Sequence, residues 1–303
     1  MDFNSNTKSR LNTFLSNPSK ALWSLAIPIM FGMGVQTLYN LVDMIFIGRL
    51  GGEAIAGIAF NMPLFFLVLG LTMGLGTGVT ASIARFIGQD NKKEADNSAE
   101  HALFMAIIIS IVLCSVGLLF GEDILAFFGA KGNIKILAWE YLHVMCIGMP
   151  FMIFSGFFRS ILAGEGDMKF PMMIAGLGTV LNIILDPIFI FDLENYGGFG
   201  FGLGISGAAM ATVISQIIVF IIFIYMLFVK DHSYITFKLK DFSFSTMILW
   251  DIVKVGFPAS MSMVVMAFGQ GVFNKILIYF SSDTVAAYQV AGRLDMLVFL
   301  PIF

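Results

Sequence analysis

The chain has 303 residues, of which 58% are hydrophobic and 12% are charged, and its mean hydropathy is +0.90. Soluble domains carry about 25% charged residues, so this composition excludes an ordinary soluble protein. It predicts an all-α polytopic bundle in a lipid bilayer. The net charge of −3, without a basic patch, indicates no nucleic-acid partner.

Apolar runs predict eight membrane spans after a polar segment at residues 1–20. They are expected at about residues 21–48, 54–87, 99–120, 135–162, 170–191, 205–229 and 246–280, with an eighth that begins near Thr284 and ends with the sequence. Asn61, Pro63 and several glycines are expected to interrupt the second span. The connections are a tight turn (49–53), a hydrophilic loop (89–97), an interfacial segment (121–133), a turn (164–169), a Gly-rich loop (192–204) and a polar connector (230–243).

The distribution of Lys and Arg predicts a cytoplasmic N-terminus, because cytoplasmic loops of membrane proteins are enriched in these residues. The twelve basic residues of the expected inner side are Lys8, Arg10, Lys20, Arg85, Lys92, Lys93, Arg159, Lys169, Lys230, Lys238, Lys240 and Lys254, against Arg49, Lys131 and Lys135 outside. Acidic residues dominate the expected outer loops.

An internal repeat becomes visible when the chain is shifted by 230 residues, which places Pro28 on Pro258 and Glu53 on Asp283. Parallel repeats of this kind are common in transporters. They predict a cytoplasmic N-terminal segment (1–20), a six-helix N-lobe (21–229), a cytoplasmic linker (230–244) and an incomplete second lobe (245–303). The chain is therefore expected to be part of a protein with about twelve spans.

Two acidic residues, Asp43 and Asp186, lie inside expected spans and at similar depth. Tyr39 precedes Asp43 by four residues and Asn182 precedes Asp186 by four, so each helix presents a carboxylate and a second polar group on one face. An acid in a span normally faces a protein interior with a partner, and no Lys or Arg is expected within reach in this half. The pair is predicted to hold a proton or a metal cation. The alternative is a static network that fixes helix packing.

Other polar residues allow weaker predictions. Gly70, Gly74 and Gly78 are spaced for helix packing. The candidates for a substrate cavity, with simple packing as the alternative, are Gln36, Asn40, Asn61, Gln270, Asn274 and Gln289. The sequence contains no GxSxG or HExxH motif and no spacing typical of a nucleophile and its base, which argues against an enzyme.

Three segments resemble the multidrug and toxin extrusion (MATE) transporters, and their combination resembles the prokaryotic DinF-like branch in particular. They are QTLYNLVDMIFIGRLGGEAIAGI (36–58), LNIILDPIFIF (181–191) and GISGAAMATVISQ (204–216). The resemblance implies a monomer in the cell membrane, with twelve helices in two lobes, that exports cationic or amphiphilic compounds in exchange for H⁺ or Na⁺.

The resemblance also implies which residues bind the coupling cation. Tyr39, Asp43, Asn182, Asp186 and Thr212 would form that cluster, all except Tyr39 being metal ligands if the cation is Na⁺, and no resident cofactor is expected. The rival functions are a lipid-linked oligosaccharide flippase of the same superfamily and, from a different class, an intramembrane enzyme.

Overall fold

The computed structural model describes residues 18–192, 200–230, 232–237 and 242–299. Throughout these ranges the regular structure is helical, which confirms the predicted all-α fold. The helices are α1 (Pro18–Gly48), α2 (Gly52–Gly88), α3 (Lys92–Phe127), α4 (Gly132–Gly164), α5 (Lys169–Ile190), α6 (Gly204–Ile224, continued by a π-helical turn, Tyr225–Val229), α7 (Thr246–Leu277) and α8 (Ser282–Phe299). Among the described residues, the six helices α2 to α7 are long and apolar enough to cross a membrane.

The third helix is longer than the sequence predicts at both ends. It begins at Lys92, inside the expected hydrophilic loop, because the Asn91 side chain accepts a hydrogen bond from the Glu94 N–H at 3.3 Å and caps the first turn. An ion pair between Lys92 and Asp96, one turn apart, adds to this start. The helix then continues through most of the expected interfacial segment and ends at Phe127.

The second helix is continuous across Pro63, contrary to the predicted interruption. Proline lacks an N–H group, so the carbonyl four residues earlier, that of Ala59, loses its helical donor. The side chain of Asn274 on α7 donates to this carbonyl at 2.7 Å. A neighbouring helix thus supplies the missing hydrogen bond.

The same solution occurs in α4, where Pro150 lies inside the helix. The carbonyl four residues earlier belongs to Cys146, and the thiol of Cys114 on α3 donates to it at 2.9 Å. Prolines in these helices therefore create binding points for neighbouring helices as well as irregular backbone.

Helix α2 lies at the centre of the bundle and packs most extensively against α7 on one side and α4 on the other. Its glycine stripe faces α7 closely: a Cβ on Gly74 would overlap the backbone of Ser260, and one on Gly78 would overlap Ile252. From the other helix, a Cβ on Gly256 would lie 2.7 Å from the Cα of Leu75. The predicted packing role of the stripe is confirmed.

The connector after α6 binds to the ends of earlier helices. The carboxylate of Glu165, after α4, accepts hydrogen bonds from the backbone N–H groups of Tyr234 and Ile235 at 3.0 and 3.2 Å and from the Ser233 hydroxyl. Burial raises the pKa of Glu165, an effect that these three donors oppose. On α3, His101 Nε2 accepts from the Ser245 N–H at 2.9 Å. The connector is thereby attached to the helices that precede it.

Helix boundaries follow the internal repeat. Helix α2 begins at Gly52 and α8 at Ser282, which is 230 residues later. The helix before each of them contains 31 residues in α1 and 32 in α7. This agreement supports the parallel repeat inferred from the shifted sequence.

Candidate functional site

Asp186 lies on α5 and its side chain is fully buried. Asn182, one turn earlier, donates through Nδ2 to Asp186 Oδ1 at 3.2 Å and to the Thr212 hydroxyl oxygen on α6 at 3.5 Å. The Thr212 hydroxyl in turn donates to the carbonyl of Ala208 at 3.1 Å. Three of the predicted cation-coupling residues therefore form one hydrogen-bonded group between α5 and α6.

Asp43 approaches this group from α1, which packs along α5. The side chain of Asp43 is half-buried, and its carboxyl group is near enough to interact electrostatically with that of Asp186. The two helices touch closely at Gly32, where a Cβ would lie 2.8 Å from Met172 Sδ. The structure thus brings both predicted acids into one neighbourhood.

Two oxygen atoms of the group are buried and accept no hydrogen bond from the described residues: Asp186 Oδ2 and Asn182 Oδ1. Buried polar atoms nearly always have a partner, so these two indicate a place for a proton or a cation. Carboxylate, amide and hydroxyl oxygens are also suitable ligands for a hard cation such as Na⁺. The side chains of Tyr39, Gln36 and Asn40 lie outside the described part of the structure.

Two small cavities adjoin the group. The first, the apolar cavity, has a volume of about 30 Å³, and its walls include Asn61 and Leu64 of α2, Met145 and Met149 of α4, and Val213 of α6. The second, the polar cavity, has a volume of about 80 Å³ and is enclosed by α4, α5 and α6. Thr212 and Gln216 line both cavities.

Arg159 lines the polar cavity, which the sequence did not indicate. It lies inside α4, five residues before the helix ends at Gly164, or about 7.5 Å along the axis. From the sequence, Arg159 is expected among the basic residues of the cytoplasmic side, whereas the structure places it against a cavity within the bundle. A Lys or Arg near the end of a span can extend to the surface or turn inward, and only the structure distinguishes the two.

The remaining candidates for a substrate cavity have different surroundings. Asn61 lines the apolar cavity and donates to the carbonyls of Gly57 and Ala138 at 3.1 and 3.0 Å. Gln270 donates to Asn274 at 3.1 Å, and Asn274 is the residue that binds α2. Gln289 on α8 is half-buried. Asn274 therefore joins α7 to α2, whereas the hydrogen bond of Gln270 lies within α7.

A family model described as MatE matches residues 28–188, just over half of the chain. This chain belongs to the MatE family. The match covers α1 to α5 and includes both acids. The family predicted from the three sequence segments is therefore confirmed.

MatE proteins with curated names include two bacterial relatives of this chain. A probable multidrug resistance protein NorM of Thermotoga maritima is 30% identical over 285 residues, which are 94% of this chain and 60% of the relative. The multidrug export protein MepA of Staphylococcus aureus is 30% identical over 278 residues, 91% of this chain and 59% of the relative. This chain spans about 60% of the length of these relatives.

Among solved structures, the chain is similar to an inward-facing conformation of a multidrug resistance MATE family transporter of the MOP superfamily. The identity is 39%, the TM-score is 0.83, and the match covers 92% of this chain and 62% of that one. The MatE relatives are named transporters and not enzymes.

Proposed function

We propose that this MatE protein exports cationic or amphiphilic drugs and toxins across the cell membrane in exchange for H⁺ or Na⁺. The observation that carries the proposal is the pair of buried oxygens that have no donor among the described residues, Asp186 Oδ2 and Asn182 Oδ1, near the carboxyl group of Asp43. Two carboxylates in a site of low dielectric constant favour a bound positive species over two free charges. The names of the relatives support multidrug export. The proposal that H⁺ or Na⁺ is the coupling ion rests on the chemistry of the site.

The coupling cation would bind to Asp43 and Asp186, with the oxygens of Asn182 and Thr212 as neutral ligands and Tyr39 bonded to the cluster. Its binding removes net negative charge between α1 and α5. Helix α1 could then repack and bend near Gly32. A change in the position of α1 alters the cavity walls and releases the cargo to the outside, and movement of the two lobes resets access.

The test replaces each acid by its neutral isostere, Asp43→Asn and Asp186→Asn. Efflux of ethidium, a permanent cation, is measured from reconstituted vesicles under a proton gradient and, separately, under a sodium gradient. Each variant should lose at least about tenfold in efflux, which corresponds to about 1.4 kcal/mol of lost coupling. The matched control is Asp123→Asn, because Asp123 is exposed near the end of α3.

Unchanged efflux in both Asp43→Asn and Asp186→Asn would refute the proposed role. A loss under only one of the two gradients would identify the coupling ion.

A further inference from the structure

We propose that the polar cavity binds the carboxylate of a zwitterionic amphiphile, with Arg159 as the anion-binding residue. The inference rests on the proposed export function and assigns, among its cargo, the compounds that carry an acid as well as a cationic group to a binding site of their own. It starts from the position of Arg159 inside α4, where a guanidinium group is costly to bury without a partner.

Arg159 has no ion pair and no hydrogen bond with any residue in the described part of the chain. The ion pairs found there join Arg85 to Asp251, Lys92 to Asp96, Lys135 to Glu122 and His232 to Asp167. Asp186 does not line the polar cavity, so the coupling acids do not serve as the counter-charge of Arg159. The guanidinium group therefore faces a polar space without a negative partner.

A second observation points to the same ligand. Ser155, one turn before Arg159 on α4, is only 2% exposed, and its hydroxyl has no hydrogen-bond partner in the described structure. Because the two residues are four positions apart, they share one face of the helix, and both line the polar cavity. A buried hydroxyl donor beside an unpaired guanidinium group forms a site for an oxyanion.

The remaining walls of the cavity are neutral. The residues that complete them with polar side chains are Thr179, Asn182, Thr212, Ser215 and Gln216. Among the residues that line the cavity, Arg159 is the one with a charged side chain. A ligand with one negative charge would therefore make the site neutral. A carboxylate meets this requirement and matches the planar fork of arginine with two parallel hydrogen bonds, whereas a phosphate monoester brings up to two charges.

The size of the cavity selects a head group and not a whole drug. A buried water requires about 10–15 Å³ of cavity volume, so the volume of about 80 Å³ accommodates a carboxylate with a few waters. Drug-sized pockets are several times larger. The apolar cavity adjoins through Thr212 and Gln216, and its methionines (Met145, Met149 and Met152) are side chains that readily reshape around an apolar body. An acid group with an apolar body fits this combination.

The test uses two dyes that differ only at the acid: rhodamine 110, which has a free carboxylate, and rhodamine 123, its methyl ester. Equilibrium binding of each to the purified protein in detergent is followed by fluorescence polarisation, without an ion gradient. We expect the protein to bind rhodamine 110 at least about tenfold more tightly than rhodamine 123, the effect of one charged hydrogen-bonded pair. In Arg159→Gln the ratio of the two dissociation constants should fall to about one.

Two further variants make the result specific. Ser155→Ala should reduce the ratio by a smaller factor, and Arg85→Gln, the same change at an exposed arginine outside the cavity, should leave it at the wild-type value. Equal binding of the two dyes by the wild-type protein would overturn the proposal even if Arg159→Gln fails to fold. A ratio in Arg159→Gln equal to that of the wild type would do the same.

Because the measurement requires neither transport nor a gradient, it separates this proposal from the export function. Loss of ethidium efflux in the Asp43 and Asp186 variants, with equal dye binding, would retain export and reject the anion site. A preference for rhodamine 110 in a protein that does not transport would retain the site and reject export.

Discussion

At the scale of single residues, the hydrogen bond between Asn274 and Ala59 replaces the one that is lost at Pro63. Pro63 removes the donor that would otherwise bind the Ala59 carbonyl. Asn274 is fully buried, and its Nδ2 donates to that carbonyl at 2.7 Å. An amide side chain in a membrane helix suggested a substrate cavity, but its described contacts join α7 to α2.

We expect Asn274→Ala to lower the free energy of unfolding by about 1–3 kcal/mol, because the Ala59 carbonyl is then left buried without a donor. Denaturation in a fixed detergent would measure the change. Asn133→Ala is the matched control: Asn133 is exposed and donates to Glu53 at 2.6 Å, so its loss should cost less than about 0.5 kcal/mol. Equal costs for the two variants would contradict the role of Asn274 in packing.

The residue scale also shows what a linear sequence conveys about the candidate site. The spacing of Asn182 and Asp186 predicted that they share a helix face, and they are hydrogen-bonded at 3.2 Å. The place of Thr212 depended on the resemblance, since no spacing rule joins two different helices. Arg159 was assigned to the cytoplasmic side, because its distance from a helix end does not determine whether its long side chain turns inward.

At the scale of helices, the packing of α2 against α7 depends on positions where no side chain intervenes. The spacing of Gly70, Gly74 and Gly78 predicted a packing face. It did not predict that the partner would be α7, which follows the long connector, because a small-residue stripe specifies closeness and not the identity of its neighbour. The apolar runs likewise predicted where most spans lie. They did not predict the start of α3, which the cap at Asn91 places before the apolar stretch.

We expect Gly74→Ala to destabilise the protein by about 1–3 kcal/mol, because the new Cβ overlaps the backbone of Ser260, which cannot move as a flexible side chain would. The matched change is Gly269→Ala on α7, where a Cβ meets no atom within 4 Å. There the substitution should leave the free energy of unfolding unchanged or raise it by up to about 1 kcal/mol, because alanine has a higher helix propensity than glycine. Thermal unfolding of both variants in one detergent tests the pair, and a similar melting temperature for the two would exclude a tight α2–α7 contact.

At the scale of the whole molecule, the distribution of charge predicts the direction in which the bundle crosses the membrane. Arg85, Lys92, Lys93 and Lys169 lie around the α2–α3 and α4–α5 connections, and Lys230 follows α6. The opposite connections contain several acids. Moving Arg159 from the cytoplasmic set into α4 leaves eleven basic residues against three, so the predicted orientation is unchanged.

We therefore expect the α2–α3 connection to face the cytoplasm and the α3–α4 connection to face the outside. Lys93 and Lys131 are exposed residues at these two connections and suit single substitutions to cysteine. A membrane-impermeant maleimide should label Lys131→Cys in intact cells and Lys93→Cys only after permeabilisation. The parent protein measures the background from Cys114 and Cys146, of which the first is half-buried and the second buried. The reverse labelling pattern would show that the orientation is inverted. The acids on α1 and α5 would then lie nearer the cytoplasmic side, and a cation that enters from the outside could not reach them as proposed.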